Sequence, residues 1–586
     1  MNKARKKTHK TGIGKRLVRG SLVLSFTRFV SSRLVRIFES GFAAPLLKSV
    51  KATDHFARKK VSGPVFKKLG LRKKFAMPAR NRVASFFANN SVITRLCGLQ
   101  TKLLNTPLRT VGLFMLTFGI YATAIFLLKR FVSLSIGEAD TDDLIISALS
   151  VIGGIMLTLF GEKRLVSALG KGKITGTLLS DVLGINDSSL YRTATEKPKT
   201  YVGISFLLGS VLGVLTVVLS PLKIFFWTAV LIGAVIIINV PEFGLLTAMS
   251  AMYFLPAGYL SIICVTALLS YLLKCLRLKR NFRFGSADVL FLLFALCLLI
   301  CCARNGMNLG ELYLLCFLSM YFVAKNTLCS EKLVIQASNS ICLGAFVGML
   351  LYIAGDFAHL IQHQQLRMVL NGLVYCRMDV NMLAVMVATA IPFAFSSFSN
   401  HVPRHRNVLF LILAAACAFI SDSYSFYMLL AAAFLVYVAV AHKAPFGAMA
   451  FGALTMPTFA VLVSDFTYSS AVNAFCQTGF DNLLGIAGSN LNFWSALNQV
   501  GGAATAVLFL LALLLIMQRA LAGALMTKSP TAGVVCGTVA AAAIIIVAES
   551  FAFNLFADIR TLLMLGFVLG MCGAVYKVYY NTGKEE

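Results

Sequence analysis

The chain has 586 residues, of which 58% are hydrophobic and 13% charged, with 54 Lys/Arg against 23 Asp/Glu and a formal net charge of +31. Soluble domains carry about 25% charged residues, so this composition excludes an ordinary water-soluble fold. Uncharged runs such as Val202–Leu219, Leu333–Gly355, Val500–Met517 and Thr531–Ala548 reach the roughly 18 residues that cross hydrocarbon as a helix. A closed β-barrel is the other way to satisfy backbone groups in lipid. These runs are continuous and do not alternate, so the expected fold is all-α, a polytopic transmembrane helical bundle.

Residues 1–108 form a basic arm with 25 Lys/Arg against Glu39 and Asp54, a net of +23. The rest of the chain therefore supplies +8 of the total of +31. Within the arm, Ser31–Phe38 and Asn90–Leu96 have the pattern of short amphipathic helices with basic faces. Gly63-Pro64 breaks the arm between them, and Val65-Phe66-Lys67-Lys68 is another basic-apolar stretch. Such segments suit the anionic lipid of an inner leaflet, at about 1 kcal/mol per Lys/Arg near the surface. Nucleic acid is the competing partner of a basic arm. The attached membrane domain favours lipid, and no nucleic-acid partner is expected. The first sustained apolar run comes near Val111, so the first span is expected to act as its own insertion signal rather than a cleaved leader.

In chain order, spans are expected near 112–134, 143–161, 202–220, 222–240, 242–256, 257–274, 287–304 and 309–326. They continue near 333–354, 380–398, 407–420, 424–441, 444–463, 494–517, 532–552 and 559–577. Several are short, giving 12 to 16 crossings. Placing the arm inside sorts the connectors by charge. Glu162–Lys199, Lys274–Arg283, His401–Arg406, His442-Lys443 and Gln518-Arg519 with Lys528 then fall inside. The acidic Gly137–Asp143 loop, 355–379, Ser421–Ser423, 464–493 and 553–558 fall outside. The organisation expected is an arm (1–108), a two-span unit with its connector (109–200) and a large transmembrane domain (201–586). Within the connector, Thr177–Gly184 reads as a short interfacial helix. Connectors 355–379 and 464–493 are long enough to build a site.

Fourteen cysteines raise the question of disulfides or metal. Cys264, Cys297, Cys301, Cys302, Cys342 and Cys417 lie inside apolar runs without metal spacing, so they read as small core residues. Ionisable groups at outer helix ends are more informative, because charge within a membrane is costly. Asp356, His359, His363, Arg367, Arg377 and Asp379 follow the ninth span, and Glu549, Asp558 and Arg560 flank the last two. Arginine matches phosphate oxygens bidentately, although arginines also mark span ends by snorkelling. His359 and His363 share the i, i+4 spacing of metal ligands but lack a spaced third ligand. Asp422, between Ser421 and Ser423, fits a helix cap as well as catalysis. Walker, dinucleotide, zincin and nucleophile-elbow motifs are missing, and neither a cofactor nor a metal is expected.

Three stretches carry a family resemblance. Val374–Ala384 looks like an Asn-Pro-Asn segment opening a span, with Asn381 fitting and Asp379 and Val380 departing. Ile420–Ser425 looks like a Ser-Arg-Gly segment, with Ser423 fitting and Tyr424 in the arginine's place. Asn490–Gly501 looks like a His-Asn segment ending in Glu-Leu-Gly, with Asn490 in the histidine's place and Gln499 in the glutamate's. From about residue 200 to 577 the chain thus resembles the bacterial O-antigen ligase and O-antigen polymerase family. Its arm and first spans are similar to Gram-positive members of the teichuronic-acid-polymerase type.

The resemblance implies a GT-C-like membrane glycosyltransferase fold in the bacterial plasma membrane, with the N-terminus cytoplasmic. It implies transfer of undecaprenyl-diphosphate-linked glycan to an acceptor hydroxyl, with inversion, alongside other polysaccharide-assembly proteins. Arginines would neutralise the leaving diphosphate and a base would assist the acceptor. Tyr424 and Asn490 cannot fill those roles. The expected site therefore takes Arg377, Asp379, Asp422 and Glu549 for catalysis, with Arg367, Asn381, Ser423, Asn490 and Arg560 binding substrate. A non-catalytic relative in an assembly complex is one alternative. A transporter or flippase of lipid-linked sugars is another, and its sign would be charged or Gly/Pro-broken spans at midplane in paired halves, whereas Pro221, Pro241 and Pro256 fall at span ends and midplane charges are scarce.

Overall fold

The computed structural model describes residues 106–131, 141–159, 164, 165, 176, 201–277, 280, 282, 285–305, 309–360, 378–396, 404–421, 424–441, 493–526 and 530–580. The basic arm, the 177–184 stretch, the expected span 444–463 and the connector 464–489 lie outside them. In chain order the helices are α1 (Leu108–Phe131), α2 (Thr141–Leu159), α3 (Val202–Val214), α4 (Pro221–Asn239), α5 (Pro241–Ala251), α6 (Ala257–Leu276), α7 (Ser286–Asn305) and α8 (Leu309–Thr327). There follow α9 (Glu331–Leu360), α10 (Val380–Phe395), α11 (Arg404–Ile420), α12 (Tyr424–Ala441), α13 (Phe493–Met526), α14 (Pro530–Ala552) and α15 (Ile559–Tyr580). Short 3-10 turns follow α3 (Leu215–Val217) and precede α15 (Leu555–Ala557). Among the described residues the remaining regular pairing is one antiparallel bridge, Pro107 to Arg164.

Seven of these helices, α1, α4, α6, α9, α13, α14 and α15, are long and apolar enough to cross a membrane. Six more, α2, α3, α7, α10, α11 and α12, are apolar but shorter. The chain is an all-α, multi-pass membrane protein. Its helix starts follow local chemistry. Pro221 opens α4 after extended Ser220, Pro241 opens α5, and Pro256 precedes α6, where a missing N–H costs nothing. Asp379 caps α10 by accepting from the Asn381 N–H at 3.2 Å. Asp558 does the same for α15, accepting from the Arg560 N–H at 2.9 Å.

The chain folds into two compact units. The first, reaching Thr247, contains α1 to α4. Here backbones approach through small residues. A Cβ on Gly112 of α1 would lie 2.6 Å from the Thr158 nitrogen of α2, and one on Gly154 would lie 2.5 Å from the Leu116 nitrogen. Close backbone approach is how helices gain dispersion energy in lipid. Buried Ser147 and Ser150 return their hydroxyls to Asp143 O and Ile146 O, both at 2.6 Å. Gly213 of α3 seats against Tyr121 of α1 in the same way. The unit takes in α3 and α4 with α1 and α2. Its apolar centre is Phe118, Ala122 and Ile224, with the Phe118 and Phe225 rings edge-on at 4.7 Å.

The second unit comprises Ala248–Phe357 and Arg377–Glu586. Helix α15 is its post, with nearly every side chain from Leu562 to Val575 buried. Gly566, Gly570 and Gly573 give α15 a flat side for Phe317, Tyr321 and Lys325 of α8. An aromatic seam runs through the unit: Tyr321 to Phe291 at 4.1 Å, Phe294 to Phe509 at 4.9 Å, and Phe509 to Phe493 at 5.5 Å. Helix α13 is broken at Gly502, whose φ of 73° and ψ of 170° are non-helical. Beside the break the Gly501 carbonyl accepts from the Thr505 hydroxyl, and from the Cys301 thiol at 3.7 Å.

Candidate functional site

Two of the expected site residues, Glu549 and Arg560, lie near the end of α14 and the start of α15. Glu549, one turn from the end of α14, is 3% exposed. Its Oε2 lies 3.2 Å from the Thr389 hydroxyl of α10, whose single proton is shared with the Val385 carbonyl at 2.8 Å. Its Oε1 has no hydrogen-bond partner among the described residues. The adjacent Ser550 accepts from the Trp494 indole N–H of α13 at 3.0 Å. The Phe493 N–H donates to the Phe553 carbonyl at 3.1 Å. The start of α13 is thereby locked onto the end of α14, with Trp494 stacked on Phe551 at 5.3 Å and Phe493 on Phe556 at 4.7 Å.

Arg560 is buried in the first turn of α15 and held by Asp558. Its Nε donates to Oδ1 at 2.9 Å and Oδ2 at 2.8 Å, and its Nη2 reaches Oδ2 at 2.5 Å. The guanidinium is thus already neutralised by its own helix cap. Asp379 and Asn381 are exposed at the start of α10. Thr389 lies ten residues further along, about 15 Å of helix, so Asp379 stands well away from the level of Glu549. Arg367, Arg377, Asp422, Ser423 and Asn490 lie outside the described residues, as does His363. Helix α9 continues to Leu360, which places Asp356 and His359 in its last turns instead of in a connector.

A second polar cluster sits further down the same post. Asp288 of α7 and Lys325 of α8 form an ion pair whose side chains are 1% and 0% exposed. The Tyr321 hydroxyl donates to the other Asp288 oxygen at 2.7 Å. The Gly285 N–H also donates to the carboxylate. The Lys325 stem crosses Gly573, where an added Cβ would meet its carbons at 3.0 to 3.3 Å. Thirteen residues separate Gly573 from Arg560, about 20 Å along α15. Sequence reasoning saw few charges at membrane depth and passed over this pair, because both residues stand at the ends of their expected spans. The available signal was that each lies inside its span limit, with opposite signs on consecutive helices.

Among the described residues no group of three or more His, Cys, Asp or Glu could hold a metal. Cys264, Cys275, Cys316, Cys417, Cys536 and Cys572 are buried thiols outside any disulfide, in keeping with a packing role. In comparisons with known proteins, no family model matches the chain, and no curated protein or solved structure matches it either.

Proposed function

We propose that the chain is a membrane glycosyltransferase of cell-surface polysaccharide assembly, joining lipid-diphosphate-linked glycans to an acceptor hydroxyl. One observation carries this reading. Glu549 is a buried carboxyl with one uncommitted oxygen, set between α10 and α13. Those two helices open on the stretches that resemble the O-antigen ligase and polymerase family. Carboxyl groups at membrane depth are costly and mark functional sites by default.

In this reading the acceptor oxygen attacks the anomeric carbon as the bond from that carbon to the diphosphate oxygen breaks. The diphosphate leaves with the bonding electrons, and the hydroxyl proton passes to Glu549. Arg367 and Arg377 balance the charge of the leaving group. In this reading the chemistry faces the outside of a bacterial plasma membrane and the basic arm lies inside on anionic lipid, an orientation supported by the sorting of positive charge among the connectors.

A second reading, transport of the lipid-linked sugar, draws on the broken helix at Gly502 and on the buried Asp288–Lys325 pair, both features of carriers. One experiment separates the two. In cells expressing Glu549→Gln or Arg377→Ala, the glycosyltransferase reading expects loss of long polymer. Lipid-linked units should then accumulate where a membrane-impermeant oxidant reaches them. Accumulation on the protected inner face favours transport. Normal chain length in both variants, with the protein inserted, overturns the enzyme.

A further inference from the structure

The Thr389 hydroxyl has one proton and two oxygens within reach. The Val385 carbonyl lies at 2.8 Å and Glu549 Oε2 at 3.2 Å. Threonine inside a helix returns its proton to the carbonyl four residues back, and the shorter distance agrees. An ionised carboxylate only accepts, so the contact between Thr389 Oγ1 and Oε2 then needs a second proton. A protonated Glu549 supplies it, with Oε2–H donating to Oγ1. Oε1, which has no partner among the described residues, is then a neutral carbonyl oxygen. Such an acceptor costs less in a dry interior than half of an ionised carboxylate.

The surrounding helices bring no counter-charge among the described residues. Helix α14 packs on α10, α12, α13 and α15. Helix α10 has no ionisable residue from Val380 to Phe395, and its cap Asp379 comes ten residues before Thr389. Helix α12 contributes Tyr424, Tyr427 and Tyr437, with the Tyr437 hydroxyl donating to the Phe395 carbonyl. On α13 the ionisable residue is Arg519, 25 residues beyond Trp494. At the start of α15, Arg560 is held by Asp558. Cys572, Tyr576, Lys577, Tyr579 and Tyr580 follow 12 or more residues further on, and Cys536 precedes Glu549 by 13 on α14. Burial and the Thr389 hydroxyl are what act on the Glu549 carboxyl.

We propose that Glu549 and Thr389 form a proton-binding site. The carboxyl holds the proton at rest and shares it with Thr389 Oγ1 as a hydrogen bond. When the Oε2–H bond breaks, the proton goes to solvent and the bonding pair stays on the carboxylate. The Thr389 hydroxyl then turns its own proton from the Val385 carbonyl to Oε2. One threonine thus serves both states, as acceptor for the acid and as donor to the anion. The site stands whether or not the chain transfers sugars. Where that reading holds, Glu549 must lose its resting proton before it can take one from an acceptor, so transfer should rise with pH.

The test follows the full-length protein in detergent by infrared spectroscopy as pH is raised from neutral. The native chain should show a carboxylic-acid carbonyl band that Glu549→Gln lacks and that fades as the site empties. Thr389→Val takes away the acceptor of the acid and the donor to the anion. Its band should move to higher frequency and fade about one pH unit later, and Thr389→Ser should restore both. These two variants decide the matter if Glu549→Gln does not fold. A band that Glu549→Gln leaves unchanged overturns the site, as does a Thr389→Val spectrum identical to the native one. Loss of polymer in Glu549→Gln, with no acid band in the native chain, would keep the glycosyltransferase and remove the proton site. An acid band that Glu549→Gln removes while polymer stays normal would do the reverse.

Discussion

The two units of this membrane protein hold their helices together by different means. In the first, glycine and serine bring α1, α2 and α3 to backbone contact. In the second, aromatic side chains fill the space around α15, and ionised groups are buried with them. The contrast shows in burial. The membrane-length part of α15 is 94% buried within the protein, whereas that of α4 is 17% buried. Small-residue packing needs no polar glue and leaves the outer helix faces to lipid. Glu549, Asp288 and Lys325 are all buried in the second unit, where the proposed chemistry would be shielded from lipid.

The largest test of this contrast is the ion pair. Lys325→Met strands the Asp288 carboxylate and should cost about 3–5 kcal/mol of stability. Adding Asp288→Asn removes the stranded charge and keeps an acceptor for Tyr321, so the double variant should recover most of the loss. Denaturant unfolding of the three proteins in detergent reads this directly. A single variant as stable as the native chain would show that the pair is not enclosed.

A middle-sized effect is expected in the first unit, where Gly154→Leu drives a side chain into the Leu116 backbone. It should cost about 1–3 kcal/mol and open the α1–α2 contact to crosslinking between introduced cysteines, while Trp494 burial in the other unit is unchanged. A matching disturbance at Trp494 would break the contrast between the two units.

The smallest expected effect separates capping from catalysis at Asp379. Asp379→Ala should lose about 1 kcal/mol with the cap of α10, whereas Asp379→Asn retains the cap. Loss of polymer in Asp379→Asn at native stability would give the carboxylate a chemical role. Normal polymer would leave it as a cap.

Most helices were legible in the sequence, because hydropathy measures the lipid path that each must cross. The expected span 559–577 is Ile559–Tyr580, and 287–304 is Ser286–Asn305. Misreadings occurred where the helix and the apolar run are different objects. Helix α13 continues past 517 through Gln518 and Arg519 to Met526, since charge ends a hydropathy window without ending hydrogen bonding. The break at Gly502 was invisible to hydropathy, although the Gly501-Gly502 pair was its local sign. Glu549 and Arg560 were legible as ionisable residues at span ends. The Glu549 partner Thr389 was not, nor was the Trp494–Ser550 pairing beside it, because both pairings join helices far apart in the chain. Asp288 and Lys325, on consecutive helices, were passed over because each stands at the end of its expected span.

The burial of Trp494 has an optical consequence. The chain contains two tryptophans, and they fall one in each unit. Trp227 on α4 is 44% exposed on the surface of the first, and Trp494 is 1% exposed within the second. The native emission is therefore the sum of a lipid-facing fluorophore and an enclosed one. The enclosed ring is hydrogen-bonded to the neighbour of Glu549, so a quencher dissolved in the acyl chains dims Trp227 first. The remaining signal reports on the α13–α14 joint beside the carboxyl, without any label having been attached.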